Sequence, residues 1–248
     1  MDKGAHYYRT DLQVHTPRDR RWVGGNATSD SERESFANAF IAECRAAGVQ
    51  AVAITDHHDL AMVRFIRDAA KREQVPDGQK IVVFPGMELT LAVPCQALLI
   101  FDAEFPNDMF ALVYNALAIT PAPDSEPKCA NILRLDHLTT LPKLYDELNK
   151  HDYLRGKFVI FPNVSETGHG TLLRSNFASH YKAMPCVGGY LDGALTQLGN
   201  GNKSILGGKD VTRPVLASPL APPRRQVFHQ QERFGGLAFP SVAQRPAR

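Results

Sequence analysis

Short apolar runs alternate along most of this chain with stretches in which apolar residues recur every third or fourth position, the texture of buried strands separated by amphipathic helices. HYYRTDLQV, rich in β-branched and aromatic residues, predicts a strand that ends near His15. Ser31 followed by Glu34 matches a capping box, and Phe36, Phe40, Ile41 and Cys44 fall on one face of the helix it would open, with Gly48 as the natural stop. QAVAIT then reads as a buried strand ending at Asp56. Asp59 is placed to cap a second helix with Met62, Val63, Ile66, Ala69 and Ala70 on its inner face, leaving His58 to solvent. Residues 80–84 predict a third strand closed by Pro85-Gly86, and residues 89–101 further extended chain interrupted by Pro94. Helices are predicted over 107–118 and 141–150, separated by a loop that Pro121, Pro123 and Pro127 mark. GKFVIFP, residues 156–162, is a further buried strand.

Strands that are continuous apolar runs, separated by helices, argue for parallel pairing with the helices outside; a closed barrel and an open sheet both satisfy this α/β pattern. With 248 residues, 44% of them hydrophobic, the chain can bury a sizeable core as one domain. Beyond Val211 the texture changes, because prolines interrupt it and no amphipathic period survives. The expectation is a domain over 1–210 and an irregular Pro/Arg-rich tail over 211–248.

That tail holds six Arg and one Glu, so the net charge of +2 conceals a body with 22 basic and 25 acidic residues. A mildly acidic body argues against a broad nucleic-acid footprint and slightly favours small substrates, although a local basic groove is compatible with it. Cys44, Cys95, Cys129 and Cys186 are widely spaced and form no CxxC pair, so neither a zinc ribbon nor a disulfide framework is signalled and a reducing compartment is expected. The charged start MDKGAHYYRTDLQ lacks a signal-peptide core, and no apolar run approaches membrane-span length. A cytoplasmic protein without a membrane partner is expected.

Chemistry-bearing residues gather where the apolar runs stop, in DLQVHT (11–16), ITDHHD (54–59) and PGMELT (85–90). Alternate spacing on a strand end points Asp11, Gln13 and His15 to one side. Taken alone, that motif is better explained by ordinary polar strand ends. Carboxylates and imidazoles crowded after a buried strand, as at Asp56 and His57, are costly unless solvated or coordinated. Glu88, between apolar Met87 and Leu89, is costly in the same way. Three such strand ends together point to a metal site on one rim of the fold, and hence to hydrolysis.

In order and spacing, DLQVHT, ITDHHD and GMELT resemble the first three motifs of the PHP (polymerase and histidinol phosphatase) superfamily. HYYRTDLQVHTPRDRRW through AITDHHDL, and later PNVSETGHGTLLRSNFASHYKAMPCVGGYLDG, look like the N-terminal part of TrlF-like proteins, in which a PHP domain precedes an AAA-like ATPase. The resemblance implies a distorted (β/α)7-type barrel, up to three zinc, manganese or iron ions, and hydrolysis of phosphate esters. It carries metal ligation onto His15, His57 and, as a bridging carboxylate, Glu88. It places Asp11 and Asp56 as flanking acids, with Asp56 also able to manage a proton. His169 in the GHG turn is a further candidate ligand, with His180 and Asp192 weaker. Arg18, Arg20, Arg21 and Arg174 are candidate forks for a substrate phosphate, Arg174 with a catalytic role.

The chain also departs from the pattern. Gln13 stands where the motif's first His belongs, and Cys95 or Gln96 where many members have another, so fewer than three ions are expected. The closing acid-containing motif has no counterpart beyond about residue 210, as in a truncated member. Two functional expectations follow. One is a metal-dependent phosphoesterase acting on a phosphorylated small molecule, a nucleotide or a nucleic-acid end. The other is a catalytically impaired PHP module, a remnant or regulatory partner of an AAA-like ATPase. An amidohydrolase-type barrel uses similar strand-end ligands but relies on the intact HxH that Gln13 breaks.

Overall fold

A computed structural model describes residues 8–75, 78–93, 95–165, 171, 188–191, 196, 198–206 and 227–229. Its elements are β1 (Thr10–Val14), α1 (Asp30–Ala46), β2 (Ala51–Ile54), α2 (Val63–Arg72), β3 (Val82–Thr90), β4 (Gln96–Phe101) and α3 (Phe110–Ala116), the last preceded by a 3-10 turn over Asn107–Met109. There follow α4 (Leu141–Asn149), β5 (Phe158–Pro162), β6 (Gly189–Leu191), α5 (Asn200–Leu206) and β7 (Val227–His229). The α/β class is as expected. Among the described residues the main sheet is open and has five strands, in the order β1-β2-β3-β4-β5.

Pairing is parallel from β1 to β3 and antiparallel from β3 to β5, so the all-parallel expectation is corrected. The stretch between Thr90 and Gln96 is too short for a helical crossover, and β4 can only turn back along β3. Nor do Pro85 and Gly86 close β3. Pro85 lies opposite Ile54 in the last parallel pair, and Gly86 begins the antiparallel ladder opposite Ile100. A Cβ on Gly86 would lie 2.9 Å from the Leu99 carbonyl oxygen and 3.2 Å from that of Ile54, so the strand can be flanked on both sides there because it carries no side chain. Glu88 is thus inside a strand rather than after one.

Helix α1 opens two residues earlier than the sequence pattern predicts. Ser29 is extended (φ −91°, ψ 157°), its hydroxyl accepts from Glu32 N, and Glu32 Oε2 accepts from Ser29 N at 2.9 Å. This capping box satisfies two of the N–H groups that a helix start leaves open. Gly48 (φ +69°) follows the helix, as expected. Helix α2 begins after Met62 without a side-chain cap. Asp59 forms a local turn instead, its Oδ1 accepting from Ala61 N at 2.8 Å. His58 is buried rather than solvent-facing.

The core packs Phe40, Ile41, Cys44, Val63 and Ile66 of α1 and α2 against Val52, Ile54, Met87 and Leu89 of the sheet. A smaller apolar cluster, Ala53, Leu98, Ile100, Phe161 and Tyr190, is joined by half-buried Leu12 and Phe84. β6 continues from β5 through a bridge between Asn163 and Tyr190, with Val164 N donating to Tyr190 O at 2.9 Å. β7 pairs parallel with β6; the rest of 211–248 lies outside the described residues. No helix among the described residues is long and apolar enough to cross a membrane.

Candidate metal centre

The ends of β1 and β2 are tied together: Thr55 N donates to Val14 O at 2.8 Å, and Thr55 Oγ1 accepts from Val14 N at 3.1 Å. The chain then leaves β2 and touches β3 again through a bridge between His57 and Glu88, in which Glu88 N donates to Asp56 O and His58 N to Glu88 O. This bridge sets His57 beside Glu88. His58 makes the turn with a left-handed backbone (φ +54°), an uncommon conformation for a side-chain-bearing residue, and its Nε2 accepts from Thr90 N at 2.9 Å. Burial, then the neighbouring His57, lowers the His58 pKa to about 4, keeping the imidazole neutral as that hydrogen bond requires.

The His15 and His57 rings stack, with centroids 5.0 Å apart and planes 10° from parallel. On one edge both Nδ1 atoms approach Asp19 Oδ2, at 3.2 Å for His15 and 2.8 Å for His57. On the other edge both Nε2 atoms approach Glu88 Oε2, at 3.1 and 3.7 Å. Asp19 is itself fixed, its Oδ2 accepting from His57 N and its Oδ1 from Arg21 N, both at 2.7 Å. Gln13 Nε2 donates to Glu88 Oε2 at 3.2 Å, and Gln96 Nε2 lies 3.2 Å from His57 Nε2. Tyr190 donates to the other carboxylate oxygen, Glu88 Oε1, at 3.0 Å.

Asp19 and Tyr190 were not among the residues singled out in the sequence. Asp19 sits in PRDRR, which reads as a solvated charged loop, and its one signal is the spacing of four from His15. Tyr190 lies 102 residues beyond Glu88, in a stretch without periodicity.

The electrostatics suit a cation. Although burial disfavours its charge, contacts with Asp19 and Glu88 raise the His15 pKa to about 10. Burial works to raise the Asp19 and Glu88 carboxyls, but the two imidazoles outweigh it and hold both low. Burial pushes Asp11 up to about 6, and burial with the Asp19 charge pushes Asp56 up as well. Buried carboxylates thus outnumber the positive charges that face them. Gln13 Oε1 is buried without a hydrogen-bond partner among the described residues. His15, His57 and Glu88 offer three ligand atoms within 4.8 Å of one another, as do His15, Asp19 and Asp56. A donor set of imidazole and carboxylate with an orphaned amide oxygen alongside fits a divalent ion.

The other candidates lie as follows. Asp11 accepts from Gln13 N at 3.1 Å and belongs to neither ligand group. Asp56 accepts from Thr16 N (2.7 Å) and Thr16 Oγ1 (2.6 Å), so both its oxygens hold the end of β1. Arg18 is buried, its Nε 3.3 Å from Asp59 Oδ2 and its terminal nitrogens donating to the carbonyls of Ala122, Pro123 and Glu126. Its guanidinium therefore faces loop 122–126. Arg20 is exposed but donates from Nε to Cys129 O at 3.0 Å, whereas Arg21 is exposed on the loop that Asp19 anchors. Cys95 is buried. His169, Arg174, His180 and Asp192 lie outside the described residues.

No protein-family model matches the chain, and no curated protein matches it. Solved structures overlap it in part. Endonuclease Q, in complex with a 27-mer duplex carrying an abasic lesion at the active site, superposes with a TM-score of 0.45 and 15% identity over 74% of this chain. The lesion-specific endonuclease of Pyrococcus furiosus gives 0.44 and 16% over the same share. A protein assigned as a metal-dependent phosphoesterase from Bifidobacterium adolescentis gives 0.31 and 13%, over 68% of this chain and 70% of that one. The chain spans 42% and 41% of the length of the first two.

Proposed function

We propose that this chain is a metal-dependent phosphoric ester hydrolase, its sheet part of a distorted PHP-type (β/α)7 barrel. The observation that carries the reading is the convergence of His15 Nε2, His57 Nε2 and Glu88 Oε2 within 4.8 Å, at the ends of β1 and β2 and within β3. These three residues would hold one divalent ion, with the Gln13 amide beside it and His169 a further ligand by resemblance. A divalent ion bound there supplies Lewis acidity toward a phosphoryl oxygen and acidifies water.

The protein's own residues do the rest. Asp19 accepts from His57 Nδ1, fixing the tautomer that leaves Nε2 free for ligation. His15 must give up its Nε2 proton before it can ligate, keeping the Nδ1 proton toward Asp19 Oδ2, 3.2 Å away, while Asp56, with an oxygen 4.0 Å from the same Nδ1, is the acid placed to manage a proton on that edge. Arg21, whose backbone Asp19 anchors, is the cation of this loop suited to a substrate phosphate. Arg18 serves the loop beneath rather than the substrate. Arg174 is a further phosphate-binding candidate by resemblance. Substrates in keeping with the mildly acidic body are phosphorylated small molecules or nucleotides, with a nucleic-acid end as the alternative.

The test is metal content after purification, followed by hydrolysis of p-nitrophenyl phosphate and bis-p-nitrophenyl phosphate with added Mn2+. Bound metal with turnover is expected, and absence of both defeats the reading. Bound metal without turnover on any phosphoester would favour a non-catalytic PHP-type module, a reading that draws on the hydrogen bond from Gln13 to Glu88 Oε2 where the resemblance calls for an imidazole.

A further inference from the structure

From the Asn163–Tyr190–Glu88 hydrogen-bond chain we infer that Tyr190 is a positioning residue, which holds Glu88 by Oε1 and so presents Oε2 to His15 and His57 for a divalent ion. The inference rests on the metal reading above and specifies what orients its carboxylate.

The hydrogen-bond directions can be followed from the backbone inward. Ser165 N donates to Asn163 Oδ1 at 2.8 Å, which fixes the orientation of the Asn163 amide. The amide nitrogen must then face the other way, and it donates to Tyr190 OH at 3.3 Å. A phenol has one proton. With an N–H already directed at its oxygen, the Tyr190 proton is free to go to Glu88 Oε1, 3.0 Å away. Hydrogen bonds to a carboxylate are charge-assisted, and this one is buried: Asn163, Tyr190 and Glu88 are 3%, 3% and 2% exposed.

The consequence lies at the opposite oxygen. His15 Nε2, His57 Nε2 and Gln13 Nε2 all gather on Oε2, at 3.1, 3.7 and 3.2 Å. The carboxylate is therefore oriented, with one oxygen turned to the imidazoles and the other held by the phenol. The short strand β6, tied to the end of β5 at Asn163, carries Tyr190 into this position, so a remote segment sets the orientation of the ligand.

Mn2+ binding to the full chain, followed by electron paramagnetic resonance and calorimetry, tests this without reference to activity. Both read the affinity directly. Tyr190→Phe is expected to weaken Mn2+ binding about tenfold, as loss of a ligand's outer hydrogen-bond partner does. Asn163→Ala is expected to weaken it too, and the double variant no more than Tyr190→Phe alone, because both act through the same oxygen. Independent packing defects would add instead. Unchanged affinity in Tyr190→Phe, or additive effects, would each overturn the inference and leave the metal reading standing. A wild type that binds no Mn2+ would overturn both.

Discussion

Arg18 with Arg33 and His15 with His57 are two groups of basic side chains that the fold treats in opposite ways. Arg18 and Arg33, 1% and 2% exposed, are answered by the backbone. Arg18 reaches the carbonyls of Ala122, Pro123 and Glu126 and the carboxylate of Asp59, and Arg33 those of Ala27, Asp124 and Glu126. His15 and His57, three and more residues away, face Asp19 and Glu88 across a cluster that also buries Asp11 and Asp56 and leaves Gln13 Oε1 unanswered. A buried charge whose donors are matched by carbonyls fastens a loop. A group surrounded by more carboxylate than it can neutralise, with an orphaned amide oxygen beside it, is arranged for something that arrives later.

The largest effect should come from the acid-rich group. Glu88→Gln removes the charge on which both imidazoles converge, and we expect Mn2+ binding and phosphoester hydrolysis to be lost, with the metal-free protein folded but lower in melting temperature because its ion pair with His15 goes too. Calorimetry and thermal melts read the two separately. A variant that binds metal as the wild type does would show that the cluster is a satisfied polar network of the same kind as the arginines.

The converse substitution sits three residues from His15. Arg18→Met strands Asp59 and several carbonyls in the interior, and breaking a buried pair in this way costs about 3–5 kcal/mol. Urea unfolding measures it. A loss below about 1 kcal/mol, the range of exposed ion pairs, would mean that the carbonyl contacts add nothing. Asp19→Asn lies between the two, since it keeps the shape of the side chain but weakens its grip on both Nδ1 edges. A fall of about 10–100-fold in Mn2+ affinity is expected, with stability largely retained. Equal affinity would remove Asp19 from the centre.

The sequence made this contrast only partly legible. His15 and His57 follow apolar runs, and a charged group at the end of a buried strand is conspicuous because burial is costly. Glu88 was conspicuous for the same reason, yet Pro85-Gly86 read as the end of its strand, because the change from a parallel to an antiparallel partner at Gly86 is a tertiary event. Arg18, Asp19 and Arg21 are neighbours in one charged loop with three fates: the first is buried on carbonyls, the second on imidazoles, and the third is exposed. Nothing local separates them, since the partners of Arg18 come from 122–126. Tyr190 was invisible for the same reason. The Ser31 and Glu34 pair imitated a capping box that Ser29 and Glu32 form, since both pairs have the same spacing.

The smallest effect, and the most specific to the imidazole group, is its response to pH. His15 is raised from 6.5 to about 10 in the folded chain by Asp19 and Glu88, against burial. A raised folded pKa stabilises the metal-free protein fully below the unfolded value of 6.5, and the contribution fades as pH climbs toward 10. Metal needs the same nitrogen deprotonated, so binding releases that proton and affinity climbs over the same window, by at most about tenfold per pH unit for one proton. Asp11, raised to about 6, changes stability below this window, and the thiols of Cys44 and Cys129, raised from 9.0 to about 12, change it above. Between about pH 7 and 9 the metal-free melting temperature should therefore fall while the gain from Mn2+ widens. Because Arg18 touches neither imidazole, Arg18→Met should shift both curves down without altering their divergence. Parallel curves with and without Mn2+, or a gain that narrows as pH rises, would show that His15 does not exchange its proton for a metal ion.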